Sequence, residues 1–321
     1  MQKTKVEEYY QLQVYQRGKS FRKRALWTKL RKDDLISLKI DMDFNFIEKN
    51  KIKYYSIQRN MQNKNSNSDS FKFPNDLPIE NIRDFLAVAK QDIKYFYIPF
   101  NFYHKIRVNK YMKKSLPELA LIQFLCNNNG NAIDVGANLG LYSYLISKYS
   151  KQLHAFEPNP YPLRYLKKLN KGNTKVYPIA VGSVNDNVEL FIPKKPKGWT
   201  SNGASLRKLN LGKGLKFKVA CRTIDYFNFK NVELIKIDVE GCEQDVIDGA
   251  INTIKNWTPN IIIENEIVHT SNPFSVLNNL LELGYKAYYC KNEGELIELD
   301  DQFDFKKNQL NPSAKDKNYI Q

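Results

Sequence analysis

The stretch AIDVGANLG, at Ala132–Gly140, decides the fold of this chain. Ala132–Val135 is a short, largely apolar run that predicts a buried strand, and Leu141–Ser150 has the apolar spacing of a helix. Glycines between a strand and a helix permit a tight turn and let the backbone approach a ligand closely. The free N–H groups at the start of the helix are directed at the same place. The stretch therefore predicts a site for a nucleotide-like ligand.

The residue types around this loop narrow the choice of ligand. A dinucleotide site has glycines spaced G-x-G-x-x-G and a P-loop has a lysine after its last glycine, whereas Gly136 and Gly140 are spaced G-x-x-x-G and no lysine follows. Asp134 disfavours a pyrophosphate and suits a ligand with a cationic amino group. Glu157, twenty-one residues after Gly136, is placed to accept both hydroxyls of a ribose. An adenosine with an ammonium group indicates S-adenosylmethionine as the cofactor.

The alternation of apolar strands and amphipathic helices continues through residues 115–305. Strands are expected at Ala132–Val135, Gln152–Phe156, Lys175–Ile179, Leu234–Ile237 and Asn260–Ile263, with extended segments at Val188–Ile192 and Lys216–Val219. Helices are expected at Pro117–Cys126, Leu141–Ser150, Leu163–Asn170, Gly241–Asn256 and Phe274–Leu283. Two last strands, Lys286–Tyr289 and Glu295–Leu299, are close enough along the chain to form a hairpin. The pattern predicts an α/β fold with a doubly wound, mostly parallel Rossmann-like sheet and an antiparallel C-terminal hairpin.

The rest of the chain differs in composition. Residues 1–70 are interpreted as a basic N-terminal extension, because residues 1–64 carry sixteen Lys/Arg against seven Asp/Glu; apolar residues within it could form a small subdomain. Residues 71–114 are expected to be a helical, aromatic connecting region whose rings either stack on bases or sugars or pack against the next domain. Residues 115–305 would be the methyltransferase domain suggested by the cofactor, and residues 306–321 a polar tail.

Charge indicates a class of partner without selecting one. The chain has 50 Lys+Arg against 34 Asp+Glu and a formal net charge of +16. Such a charge favours nucleic acid, an anionic membrane surface or a phosphorylated carrier. A lysine-rich surface surrounded by water explains it equally well.

Cysteine and histidine positions exclude several classes of protein. The four cysteines include no C-x-x-C pair and the three histidines are scattered, so no metal site is predicted. Free thiols suit a reducing compartment. The first ten residues lack the apolar core of a signal peptide, and no apolar run approaches the roughly 18 residues of a membrane span. A cytoplasmic protein is expected.

Six short motifs occur in order along the central region. They are AIDVGANLG at Ala132–Gly140, AFEPN at Ala155–Asn159, AVG at Ala180–Gly182, TID at Thr223–Asp225, KIDVEGCE at Lys236–Glu243 and GA at Gly249–Ala250. Together they resemble the FkbM-type family of S-adenosylmethionine-dependent methyltransferases, which implies the class I methyltransferase architecture. The resemblance covers roughly half the chain, from about Pro117 to Tyr285, and the N-terminal third resembles no family. Cys242 departs from the alanine usual in the acidic motif, a small-for-small exchange.

The resemblance also implies which residues surround the cofactor. They are Asp134, Gly136, Asn138 and Gly140 at the methionine end, Glu157 with Pro158 and Asn159 at the ribose, and Ala180 and Val181 near the adenine.

Chemistry is expected just beyond the strand at Leu234–Ile237. Asp238 and Glu240 point the same way if the strand geometry continues. Asp238 is the first candidate to contact the cofactor's amino group or the acceptor hydroxyl. Glu240 is the second, as a base on the acceptor side, with helix capping as the alternative. His269 is the histidine placed to act as a base, although a lone loop histidine is often only a surface residue.

Three functions are consistent with these observations. The resemblance implies O-methylation of a hydroxyl on a glycan or related natural product, with the basic N-terminus contacting a phosphorylated or lipid-linked carrier or the membrane surface. A nucleic-acid (RNA) methyltransferase is the second, but the N-P-P-Y-type loop that usually serves base amines is absent. A non-catalytic binding module is the third, and the intact cofactor residues argue against it.

Overall fold

A parallel sheet of five strands lies at the centre of the fold. The computed structural model describes residues 13–17, 82–114, 117–195, 198–199, 201, 203–206, 214–264, 274–290 and 296–299. In chain order the strands are β1 (Gln13–Arg17), β2 (Asn131–Val135), β3 (Gln152–Phe156), β4 (Thr174–Tyr177), β5 (Ala180–Val181), β6 (Asn187–Lys195), β7 (Gly198–Trp199), β8 (Gly214–Arg222), β9 (Val232–Ile237), β10 (Asn260–Ile263), β11 (Tyr285–Cys290) and β12 (Leu296–Glu298). The main sheet has the order β12-β11-β1-β10-β9-β2-β3-β4. Its five parallel strands are β10, β9, β2, β3 and β4.

Helices connect these strands. The α-helices are α1 (Ile82–Asp92), α2 (Phe100–Lys114), α3 (Ile122–Leu125), α4 (Leu141–Ile146), α5 (Pro160–Leu166), α6 (Glu243–Asp248), α7 (Ile251–Trp257) and α8 (Phe274–Glu282). A π-helical segment, Ile93–Tyr97, follows α1, and short 3-10 turns lie at Pro117–Ala120, Lys167–Leu169 and Asp225–Phe227. Among the residues described, no helix is both long and apolar enough to cross a membrane.

Apolar side chains cover both faces of the main sheet. Along β10, Ile261 and Ile263 belong to one core cluster, whereas Ile262 belongs to the other. Successive side chains of a strand point to opposite faces, so a strand buried on both faces is apolar at every position. This explains the continuous apolar runs of the parallel strands and confirms the predicted doubly wound α/β fold.

A second, smaller sheet has the order β5-β8-β6-β7. Its main pair is β6 and β8, which run antiparallel from Asn187↔Ala220 to Pro193↔Gly214. These strands correspond to the two predicted extended segments, and they are longer than predicted. The predicted C-terminal hairpin is confirmed by the antiparallel pairing of β11 and β12 at the edge of the main sheet.

Two features differ from the sequence pattern. β1 belongs to residues interpreted as a separate basic extension, yet it lies inside the main sheet, antiparallel to both β10 and β11. The single helix expected at Gly241–Asn256 is two helices, α6 and α7. The interruption falls at Gly249, where a Cβ would lie 2.1 Å from the carbonyl oxygen of Gly182. The rest of the basic extension and the tail at 306–321 lie outside the described residues.

Candidate active site

The carboxyl ends of β2, β3 and β9 border a cleft. Ligands of open parallel sheets bind at this edge. The empty volume of the cleft, counted to its open mouth, is about 600 Å³, within the range of small-molecule sites. The sequence-predicted residues that line it are Gly136, Asn138, Glu157, Pro158, Ala180, Val181, Asp238 and Glu240.

The loop after β2 lies directly against the end of β9. Gly136 has a φ of +74°, and a Cβ there would lie 1.8 Å from the carbonyl oxygen of Asp238. The N–H groups of Gly136 and Ala137 both donate to the carbonyl oxygen of Phe156 at 3.0 Å. Glycine is therefore required by the close approach of two chain segments as well as by the backbone conformation.

Glu157 is fixed at the end of β3 by two loops. Its Oε2 accepts the backbone N–H of Asn138 and its Oε1 accepts that of Asn159, both at 2.7 Å. Burial raises the pKa of this carboxyl group to about 7, and the two hydrogen bonds oppose that rise. Each carboxylate oxygen has a further lone pair, so the side chain can accept hydroxyl groups from a ligand in the cleft.

A buried lysine connects β2 and β9. Lys236 Nζ lies 3.0 Å from Asp238 Oδ2, 3.2 Å from the carbonyl oxygen of Gly136 and 3.6 Å from Asp134 Oδ1. Asp134 and Lys236 are paired in the register of the two strands. Burial alone would lower the pKa of Lys236, but the carboxylates of Asp238 and Asp134 raise it to about 12.

Asp134 is placed differently from the expectation. It is fully buried beneath the loop, where its carboxylate accepts a hydrogen bond from the Ser143 hydroxyl and pairs with Lys236. It does not line the cleft, so direct contact with a ligand's amino group is corrected to an indirect role. Asp134 holds Lys236, and Lys236 in turn holds Asp238, whose side chain is 29% exposed at the cleft.

Glu240 anchors the loop that follows β7. Its Oε1 accepts the backbone N–H of Gly203 at 3.0 Å, and its carbonyl oxygen accepts the Ser205 hydroxyl at 2.9 Å. Its φ of +53° is uncommon for a residue with a side chain, and these bonds stabilise it. The capping contact at this turn comes instead from Glu243, whose Oε1 accepts the N–H of Gly241 at 2.9 Å.

Comparison with known proteins identifies the region that carries this site. Residues 134–287 match the family model described as the Methyltransferase FkbM domain. This region is an FkbM methyltransferase domain. A similar solved structure is the methyltransferase FkbM from Methylobacillus flagellatus KT, at 14% identity and a TM-score of 0.38. The similarity covers 74% of this chain and 54% of that one, so the chain spans about half the length of that protein. No curated protein matches the chain.

Lys236 is the residue of the methyltransferase domain that motif reasoning does not single out. It follows Leu234 and Ile235, which are fully buried, and is itself 3% exposed. A lysine inside a buried strand is unusual because an ammonium group is rarely removed from water without a partner. That oddity, together with Asp134 on the neighbouring strand, is the signal that sequence offers.

A second polar pair lies behind Lys236. Tyr142 donates a hydrogen bond to Glu118 Oε1, and Lys236 Nζ lies 4.9 Å from the centre of the Tyr142 ring. Glu118 is 1% exposed, and its Oε2 has no hydrogen-bond partner within the described part of the chain. Burial raises the pKa of Glu118 to about 7, opposed by Tyr142 and Lys236.

The remaining predicted residues of the methyltransferase domain have structural positions or lie outside the described chain. Gly140 does not line the cleft: it precedes α4 with a φ of +79°, and a Cβ there would lie 2.9 Å from Leu166 Cδ1. Asn159 is buried and caps α5, because its Oδ1 accepts the N–H of Tyr161 at 3.0 Å. His269 lies outside the described residues. Among those that are described, no group of three or more His, Cys, Asp or Glu side chains is placed to hold a metal ion.

Proposed function

We propose that this chain transfers a methyl group from S-adenosylmethionine to a hydroxyl of a glycan or related natural product. The observation that carries the proposal is the cleft of the FkbM methyltransferase domain, where Gly136, Glu157 and Asp238 meet at the carboxyl ends of three neighbouring parallel strands.

The charge around the cleft supports a cationic cofactor. Five carboxyl groups interact electrostatically with the single ammonium group of Lys236: Asp134, Asp238, Glu264, Glu118 and Glu157. Such an excess of acid favours a ligand that carries positive charge. S-adenosylmethionine has both an ammonium and a sulfonium group, so the residues present fit it.

Each lining residue has a place in this proposal. Glu157 would accept the ribose hydroxyls, Asp238 would accept the amino group, and Ala180 and Val181 would lie beside the adenine. When bound, the cofactor supplies a methyl group on a positively charged sulfur, and its transfer requires an acceptor held in line. Glu240 is the base that would take the proton of the acceptor hydroxyl.

Calorimetry with S-adenosylhomocysteine tests the cofactor site. We expect a dissociation constant on the order of micromolar, and no measurable binding by Glu157→Ala. The control is Glu233→Ala, because Glu233 lies on β9 away from the cleft and its Oε2 accepts the N–H of Asn127. Wild-type protein that does not bind would refute the cofactor assignment, and unchanged affinity in Glu157→Ala would refute the role of that carboxylate.

Transfer of a labelled methyl group tests the acceptor. The protein is incubated with labelled S-adenosylmethionine and host polysaccharide, lipid-linked sugar and RNA fractions. We expect label in a sugar-containing fraction, and we expect Glu240→Gln to lose transfer while it keeps its affinity for S-adenosylhomocysteine. Label in RNA alone would replace the glycan proposal with the nucleic-acid one.

A further inference from the structure

The helical segment 82–114 carries positive charge that its own acids do not neutralise. Its basic residues are Arg83, Lys90, Lys94, Lys105, Arg107, Lys110, Lys113 and Lys114, against two acids. Both acids pair with cations from elsewhere in the chain. Asp84 lies 2.8 Å from Lys194 Nζ, and Asp92 lies 2.7 Å from a guanidinium nitrogen of Arg164. The positive charge of the segment therefore has no counterpart within it.

Four of these residues form a group that we call the cation cluster: Lys90, Lys94, Arg107 and Lys110. Lys90 and Lys94 are four residues apart, across the end of α1 and the π-helical segment, and Arg107 and Lys110 are three apart on α2. These spacings place the members of each pair on one side of their element. Lys90 and Lys110 are exposed, whereas Lys94 and Arg107 are half-buried.

Tyrosine side chains hold Arg107 in place. Its guanidinium lies 5.8 Å from the ring centres of Tyr95 and Tyr103 and 5.7 Å from that of Tyr111. It also donates a hydrogen bond to the Tyr95 hydroxyl. A guanidinium held in this way keeps further N–H donors in a fixed plane. Little side-chain entropy would be lost when it binds an anion.

The surroundings of Lys94 are unfavourable in the free protein. Burial lowers the pKa of its ammonium group, and the charged groups that lower it further are Lys90, Arg107 and Lys110, all of them cations. Like charges at these helical spacings are destabilising. An arrangement that lowers stability without a ligand is typical of a functional site.

We infer that the cation cluster binds the pyrophosphate-like group of a small anionic ligand. None of its four residues lines the cleft, so the inference does not depend on the proposed methyl transfer. A doubly charged group matches four cations that surround one half-buried ammonium, and guanidinium N–H donors match phosphate oxygens. A polymer would instead favour a long row of exposed cations.

Inorganic pyrophosphate is the probe for this site. We expect it to raise the Tm of the full chain and to bind in calorimetry at about 0.15 M salt, where exposed charges are largely screened. Lys90→Gln/Lys110→Gln changes two exposed residues and should weaken binding roughly tenfold or more. Lys94→Met should abolish binding yet raise the Tm of the free protein, because it removes a repelled, partly buried charge.

The matched control is Lys230→Gln/Lys255→Gln, which removes two exposed lysines from other elements. It should bind pyrophosphate as wild type does. Equal weakening in this control would show that net charge and not the cluster is responsible, and would overturn the inference. So would a wild-type protein that ignores pyrophosphate and uses the cluster to bind phosphatidylserine-containing vesicles or a short RNA.

Discussion

Glu118 shows what burial does to a single acid in this protein. Its carboxyl group is removed from water and has one hydrogen bond, from Tyr142. Its pKa is about 7, above the ordinary value of 4.5, so the folded state holds the proton more tightly than the unfolded state does. By linkage, the stability that Glu118 contributes is fully present below pH 4.5 and is lost as pH rises through about 7.

The Glu118→Gln variant should remove this pH dependence, because an amide keeps the oxygen that accepts the Tyr142 hydrogen bond and cannot ionise. Between pH 5 and pH 8 we expect wild-type protein to lose about 2 kcal/mol more unfolding free energy than the variant. Urea unfolding at both pH values measures the difference. Glu282→Gln, on the exposed side of α8, controls for the loss of one carboxyl group, and a constant offset between Glu118→Gln and wild type would contradict the prediction.

Residue chemistry predicted some members of the site and missed others for a physical reason. Gly136, Glu157 and Asp238 follow from residue type and from position at the end of a strand. Lys236 does not, because its meaning depends on Asp134, which is remote in sequence and adjacent only through strand register. The same register explains why Asp134 supports the site from beneath. Pairing between strands cannot be read from either segment alone.

Among the elements, α7 has the most explicit start signal. Asp225 Oδ1 accepts the N–H of Thr253 at 2.8 Å and its hydroxyl at 2.7 Å, and Oδ2 accepts the N–H of Asn252 at 3.0 Å. The N–H groups in the first turn of a helix have no partner within the helix, so this carboxylate satisfies two of them. The TID motif therefore has a structural role in beginning α7.

Removing this cap should destabilise the protein without altering the cleft. We expect Asp225→Ala to lower the unfolding free energy by about 1–2 kcal/mol. Asp248→Ala is the matched control, since Asp248 is exposed and accepts only a surface hydrogen bond from Gln244 in the contacts seen. Urea unfolding compares the two, and equal stability would contradict the assigned role of Asp225.

Helix and strand positions were largely predictable, but their exact limits depended on contacts between elements. The apolar stripe in residues 241–256 is continuous and indicates one helix. The break at Gly249 arises because Gly182 packs against it, so the AVG and GA motifs are two sides of one contact. A periodic pattern does not contain that information.

On the scale of the whole molecule, β1 joins the two ends of the chain. It pairs with β10 through Gln13↔Ile263, Val14↔Ile262 and Tyr15↔Ile261, and with β11 on its other side. The parallel core was predictable because its strands alternate with helices. β1 was not, since a strand of five residues remote from its partners has no local signal that outweighs the basic residues around it.

Deletion of residues 1–19 should therefore weaken the fold far from the N-terminus. Without β1, facing edges of β10 and β11 lose their backbone partners, and unpaired edges destabilise a sheet and promote aggregation. We expect a lower Tm, at about 2–4 °C for each kcal/mol lost, and faster hydrogen exchange in β10 and β11. Deletion of residues 306–321 is a control of similar length. Unchanged exchange at Ile261–Ile263 after the N-terminal deletion would show that β1 does not contribute to the sheet in solution, while faster exchange confined to β10 and β11 would identify the N-terminal segment as an integral strand of the methyltransferase fold.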